Sequence, residues 1–115
     1  MSRAKPADAV EAGLRIARAL EHDRIPYALG GALALGFWAV PRGTVDVDVN
    51  VFVTEAGLGP VCVALESLGI AVDREQVALA SRQRGLFVVE FSGYRVDVFT
   101  PSIEFSWEAE RARVA

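Results

Sequence analysis

Three aspartates stand out in the sequence because each one interrupts a run of apolar residues. Asp46 and Asp48 alternate with valines in the segment TVDVDVNVFV at 44–53, and Asp97 lies within YRVDVF at 94–99. Neighbouring carboxylates repel each other, and burial increases that cost. A divalent cation relieves the repulsion, and Mg²⁺ prefers carboxylate oxygens together with substrate phosphates. Two such ions about 3.5–4 Å apart can stabilise the attacking and the leaving oxygen in phosphoryl chemistry.

The segment at 44–53 must position the first two aspartates. Valine occupies its odd positions, and its even positions carry Asp46, Asp48, Asn50 and Phe52. Strict alternation with β-branched residues predicts a strand with one buried face. Asp46 and Asp48 then share a face, with Cα atoms about 6.5–7 Å apart. The alternative interpretation is a solvated polar face on an edge strand, although Phe52 on the same face argues against a simply wet surface.

A glycine pair, Gly30-Gly31, lies between a predicted short strand at 25–29 and a predicted short helix at 32–38. Glycines at such a junction let the backbone approach a ligand closely, and free N–H groups at a helix N-terminus favour phosphate. Most such pairs are only tight turns. This pair is informative because the aspartate strand follows it.

The remaining pattern predicts an α+β domain with a mixed β-sheet, a two-layer α/β sandwich. The other expected elements are a helix at 8–22 with a capping box at Asp8, a helix from Gly59-Pro60 to Gly69, a short strand at 70–72, a helix or loop at 73–85, strands at 86–91 and 94–99 joined by Ser92-Gly93, and a partly helical tail at 102–115. In this sandwich we expect the three aspartates to converge at one end of the sheet, facing the glycine pair.

Composition narrows the class of protein. The chain has 115 residues, a net charge of -3 and 52% hydrophobic residues, which is typical of one globular domain and excludes a strongly basic nucleic-acid clamp. Cys62 is the only cysteine, so an intrachain disulfide is excluded and a reducing compartment is favoured. The uncharged, glycine-containing stretch 28–40 is shorter than the roughly 20 residues of a membrane span. We therefore expect a cytoplasmic protein without a membrane segment.

The stretch LGGALALGFWAVPRGTVDVDVNVFV, 29–53, resembles the signature of the DNA polymerase beta-like nucleotidyltransferase superfamily. It is especially similar to the minimal and abortive-infection-type nucleotidyltransferases of prokaryotes. That signature joins a glycine pair to an Asp-x-Asp strand, and a third aspartate follows on a later strand. The matching positions are Gly30, Gly31, Arg42, Thr44, Asp46, Asp48 and Asp97.

The resemblance implies a Mg²⁺-dependent enzyme that transfers a nucleoside monophosphate from a nucleoside triphosphate, such as ATP, to a hydroxyl of a protein, RNA or small-molecule acceptor. The nucleotide would be bound by Gly30, Gly31, Arg42 and Thr44. Two Mg²⁺ ions would be held by Asp46, Asp48 and Asp97, with Asp97 at the ion nearer the acceptor hydroxyl. The resemblance also implies a role in a toxin–antitoxin system.

Relatives in this superfamily usually continue with a further strand and C-terminal helices, whereas this chain ends at Ala115 and is C-terminally short. We expect a second copy in a homodimer, or a toxin or antitoxin partner, to supply that wall of the pocket. The alternative is a truncated, non-catalytic module of the same fold that binds a nucleotide or a protein. A third interpretation is a purely structural fold with solvated aspartates, whose melting would not depend on metal.

Overall fold

The computed structural model describes residues 6, 8–30 and 46–103, and these residues form both helices and strands. In chain order these elements are α1 (Ala9–His22), β1 (Tyr27–Leu29), β2 (Val47–Val51), α2 (Leu58–Glu66), α3 (Arg74–Arg84), β3 (Leu86–Phe91) and β4 (Tyr94–Phe99). A single 3-10 turn, Glu55–Gly57, leads into α2. The predicted helix at 32–38 and the tail from 104 onward lie outside the described residues.

The four strands form one mixed sheet in the order β1-β2-β4-β3. Strand β2 runs parallel to β4, whereas the β1–β2 and β3–β4 pairs are antiparallel. Strand β2 therefore has a hydrogen-bonded neighbour on both sides. The edge-strand part of the alternative interpretation is wrong for this reason, whereas the solvated polar face stays an open alternative.

The three helices formed by the described residues pack against one face of the sheet or against each other. Helix α1 contacts β1 and β2, α3 contacts β3, and α2 packs between the other two helices. The valines of β2 that face this layer are fully buried. Strict alternation produces this face, because successive side chains of a strand point to opposite sides. The predicted α+β fold, a two-layer sandwich with a mixed sheet, is confirmed.

Local signals fix the ends of the helices. The Asp8 carboxylate accepts a hydrogen bond from the Glu11 N–H at 2.9 Å, as the capping pattern predicts. Asp73 caps α3 in the same way through the Gln76 N–H at 3.2 Å, and the left-handed Gly85 (φ 76°) ends that helix. The segment at 73–85, which the sequence left open between helix and loop, is thus a helix.

Three predicted boundaries are corrected. The predicted strand at 70–72 is irregular, because the Ile70 N–H donates to the Leu65 carbonyl at the end of α2 instead of to a strand. Strand β1 begins at Tyr27, since the Ile25 N–H is likewise held by the Leu20 carbonyl at 2.9 Å. Helix α2 spans Leu58–Glu66, so it begins one residue before the predicted Gly59 and ends before Gly69.

The hairpin between β3 and β4 agrees with the prediction residue for residue. Ser92 and Gly93 both have positive φ, 53° and 87°, as in the two-residue turn whose twist matches the flanking strands.

Within the described part of the chain, no helix has the length and apolar character to cross a bilayer. Cys62 is buried in α2, as expected of a small core residue.

Candidate active site

The register between β2 and β4 places Asp48 directly beside Asp97. Each aspartate alternates with buried valines, so both carboxylates project from the face of the sheet opposite the helices. Both residues are half-buried there. Adjacent strands lie about 4.8 Å apart, so the two carboxylates are immediate neighbours across the sheet.

Asp46, the residue just before β2, is the third member of this group. It is exposed and lies two residues from Asp48, so it projects from the same face. One step back in the same register, Asp46 comes beside Arg95 of β4, because Val47 pairs with Val96. The register thus brings the three aspartates to one region of the sheet, while their convergence on a common ion opposite the glycine pair stays a prediction. We call Asp46, Asp48 and Asp97 the carboxylate cluster.

The repulsion between the carboxylates of the cluster affects the pKa of Asp48. Burial raises the pKa of the Asp48 carboxyl above its ordinary 3.8, and the negative charges of Asp97 and Asp46 raise it further. The positive charge of Arg95 acts in the opposite direction. A carboxylate with two acidic neighbours and partial burial favours a proton or a cation.

Arg95 is a member of the site to which the sequence analysis gave no role. Its Nε donates a hydrogen bond to Asp97 Oδ1 at 2.8 Å. The Arg95 side chain is 58% exposed, whereas that of Asp97 is 16% exposed. Residues two apart on a strand share a face, so the spacing of Arg95 and Asp97 was a signal that could have identified the pair.

Gly30 lies beside the cluster at the end of β1. Its N–H donates to the carbonyl of Asp48 at 2.8 Å. A Cβ at Gly30 would stand 3.6 Å from Asp48 Cβ and 3.4 Å from Asn50 Nδ2, both ordinary contact distances. A methyl group would thus fit without a clash, but it would fill space next to the Asp48 side chain.

The remaining predicted nucleotide-binding residues, Gly31, Arg42 and Thr44, lie outside the described residues, and their roles stay predictions. Asn50 is a further polar group that the sequence analysis left without a role. It shares with Asp48 the sheet face that no described helix covers, which we call the uncovered face, and its amide nitrogen is close to Gly30. An amide donor at this position can hydrogen bond an anionic oxygen.

The donor atoms of the cluster suit magnesium in type. Asp48 and Asp97 offer adjacent hard oxygen ligands, and Asp46 offers a third nearby. In the conformation of the described residues, no three His, Cys, Asp or Glu side chains form a ready metal-binding group. One Asp97 oxygen is occupied by Arg95 instead. An ion that binds this same oxygen competes with Arg95 for it.

A shallow groove of about 520 Å³ reaches the site from the β3 side of the sheet. Its lining includes Val88 and Glu90 of β3 and Arg95 of β4. Val88 is 44% exposed, so the groove has an apolar floor beside charged groups. Arg95 lines this groove, whereas the three aspartates of the cluster do not.

Comparison with protein-family models, curated proteins and solved structures found no match to this chain.

Proposed function

We propose that this protein is a Mg²⁺-dependent nucleotidyltransferase of the DNA polymerase beta-like superfamily. It would transfer a nucleoside monophosphate from a nucleoside triphosphate to a hydroxyl of a protein, RNA or small-molecule acceptor. The observation that carries the proposal is the pairing of Asp48 with Asp97 on an uncovered sheet face, with Asp46 adjacent. The cytoplasm, where nucleoside triphosphates and Mg²⁺ are abundant, is the proposed location.

Packing supports a chemical role for these carboxylates. The opposite side of the same two strands is built from fully buried valines, so the fold needs no acid for its core. On the other side, burial raises the pKa of Asp48, and the negative charges of Asp97 and Asp46 raise it further. Like charges directly opposite on neighbouring strands are destabilising. A bound cation would remove the repulsion between the carboxylates, and the free energy recovered would add to the affinity of the protein for that cation.

Each residue would have a distinct part in the reaction. The acceptor hydroxyl oxygen attacks the α-phosphorus, the bond from that phosphorus to the bridging oxygen breaks, and pyrophosphate leaves. Asp48, between the other two acids, would hold the cations in place, and Asp97 would orient the acceptor hydroxyl and take its proton. The backbone at Gly30 would let the triphosphate approach the Asp48 side chain. Mg²⁺, when bound, supplies the positive charge that stabilises the attacking and leaving oxygens.

Labelled nucleotides test the proposal directly. The full chain is incubated with Mg²⁺ and each α-³²P nucleoside triphosphate, with total protein and RNA as acceptors. We expect transfer of label that the variant Asp48→Asn reduces by at least about 10²-fold, because removing a metal-binding carboxylate removes most transition-state stabilisation. Asp23→Asn, which changes an exposed acid at the end of α1, is the matched control and should retain full activity.

The result that contradicts the proposal is equal transfer by wild type and Asp48→Asn. Gly30→Ala gives an independent check, because the added methyl fits the fold yet occupies space beside Asp48. We expect Gly30→Ala to melt like the wild type and to bind a nucleoside triphosphate more weakly. Unchanged nucleotide binding would remove Gly30 from the proposed site.

The second candidate is a non-catalytic module of the same fold that binds a nucleotide or a protein. The ion pair between Arg95 and Asp97 favours it, because the pair occupies an oxygen that catalysis would need. Calorimetric titration with Mg²⁺ and a non-hydrolysable triphosphate separates the two candidates. Binding without transfer to any acceptor favours the module, alone or with a second copy or a toxin–antitoxin partner. Binding together with transfer favours the enzyme.

A further inference from the structure

We propose that Arg95 is an exchangeable counter-ion of the carboxylate cluster. In the metal-free protein it holds Asp97, and when divalent cations bind it leaves Asp97 and binds the triphosphate of the incoming nucleotide. This inference rests on the proposed function and adds a residue that the family resemblance does not supply. It also assigns a use to the one basic side chain that hydrogen bonds the cluster within the described residues.

Arg95 contacts the carboxylate cluster through its side-chain Nε. The bond to Asp97 uses Nε, while an arginine side chain carries five N–H donors in a planar fork. With 58% of its side chain exposed, Arg95 stands at the rim of the cluster and not beneath it. A guanidinium in that position can rotate outward without disturbing the core.

Two acids are neighbours of Arg95 in the sheet, Glu90 and Asp97. Strand β3 offers Arg95 a different acid, because Glu90 is its register partner on the same face and is exposed. The guanidinium bonds Asp97 on its own strand instead. The combined negative charge of Asp46, Asp48 and Asp97 attracts it there. The hydrogen bond to Asp97 raises the pKa of Arg95 most, and the charges of Asp97, Asp46 and Asp48 raise it further. Arg95 thus responds to the charge of the cluster.

The net charge around Arg95 changes when divalent cations bind the cluster. Three carboxylates and one guanidinium leave a surplus of two negative charges, which attracts Arg95 to Asp97. The two divalent cations of the proposed site would reverse the sign of this charge, and an ion that binds Asp97 Oδ1 also competes with Arg95 for that atom. Because the Arg95 side chain is largely exposed to solvent, its ion pair is weak and a cation displaces it readily. The anionic triphosphate then becomes the strongest acceptor nearby, and arginine binds phosphate in a bidentate manner.

Two binding measurements on Arg95→Gln test this exchange without relying on activity. Mn²⁺ affinity, measured by electron paramagnetic resonance, should rise by up to about fivefold, because the competitor is gone. Affinity for a non-hydrolysable Mg²⁺-triphosphate should fall by about tenfold to a hundredfold, because a charged hydrogen-bond donor is lost. Arg95→Lys keeps the charge without the fork and should restore part of the nucleotide affinity.

Arg82→Gln is the matched control, since Arg82 pairs with Glu55 at 3.1 Å outside the cluster. It should leave both affinities unchanged. Equal Mn²⁺ affinity in Arg95→Gln and wild type would overturn the exchange. Tighter Mn²⁺ binding with unchanged nucleotide affinity would overturn the transfer of Arg95 to phosphate. A wild-type protein that binds neither Mn²⁺ nor nucleotide would overturn the proposed function itself, and this inference with it.

Discussion

The two faces of the sheet differ in almost every physical respect, although they alternate along the same strands. On the helix-covered face, Val47, Val49 and Val51 are completely buried. One residue away from each, the uncovered face carries acids, an amide and an exposed aromatic ring, Phe52 at 45% exposure. The covered face stabilises the fold, and the uncovered face stores electrostatic repulsion.

This contrast shows how one short strand serves two purposes. The period of two separates packing from chemistry residue by residue, so the carboxylates can be placed without interrupting the core. Strand β2 is also interior to the sheet, and its hydrogen bonds on both sides keep Asp48 in register with Asp97. The buried valines thus hold strand β2 in place, and the strand in turn positions the carboxylates on its other face.

Breaking the covered face should have the largest effect. Val49→Asp buries an unpaired carboxylate among valines and should reduce the free energy of unfolding by about 4 kcal/mol or more, which a domain of this size barely survives. Asn50→Asp, one residue along on the uncovered face, should cost less than about 1 kcal/mol. Urea unfolding measures both. Equal losses in the two variants would refute the distinction between the faces.

The covered side also contains a polar group whose removal should stabilise the protein. Thr100 follows β4 and is fully buried, and among the described residues its hydroxyl has no hydrogen-bond partner. Thr100→Val removes that hydroxyl and should raise the free energy of unfolding by about 1 kcal/mol. Thr54→Val, at an exposed position, is the control and should change stability little. A destabilised Thr100→Val variant would show that the hydroxyl is in use.

On the uncovered face, charge removal should have a smaller effect that depends on pH. The pKa of Asp48 is raised in the folded state above 3.8, so its ionisation above that raised value costs folded stability. At pH 7, Asp48→Asn should therefore unfold with a free energy about 0.5 kcal/mol higher than the wild type. Below the unfolded pKa both states are protonated, and the gain should vanish.

Thermal melts of wild type and Asp48→Asn from pH 3 to pH 7 measure this difference. The advantage of Asp48→Asn should grow as the pH rises through the folded pKa of Asp48. A gain that was larger at pH 3 than at pH 7 would contradict the repulsion assigned to the cluster.

Much of this arrangement could be predicted from the sequence. The alternation at Val47–Val51 fixed which residues are buried, and Ser92-Gly93 fixed the hairpin, because both signals are local. Short segments failed where a competing bond decides the outcome: Ile25 and Ile70 look like strand residues, but their N–H groups are held by carbonyls at helix ends. The role of Arg95 was also missed. Its spacing to Asp97 was a local signal, but the approach of Asp46 and Asp48 to Arg95 depends on a register between strands 40 or more residues apart in the chain, which is not a local property.

The most direct test of the central claim is a Mn²⁺ titration of the wild-type protein and Asp48→Asn by electron paramagnetic resonance. If Asp46, Asp48 and Asp97 form one cation site, the wild type should bind Mn²⁺, Mg²⁺ should compete for the same site, and Asp48→Asn should lose at least about tenfold in affinity. Equal Mn²⁺ affinity in the two proteins, or no binding by the wild type, would contradict the account.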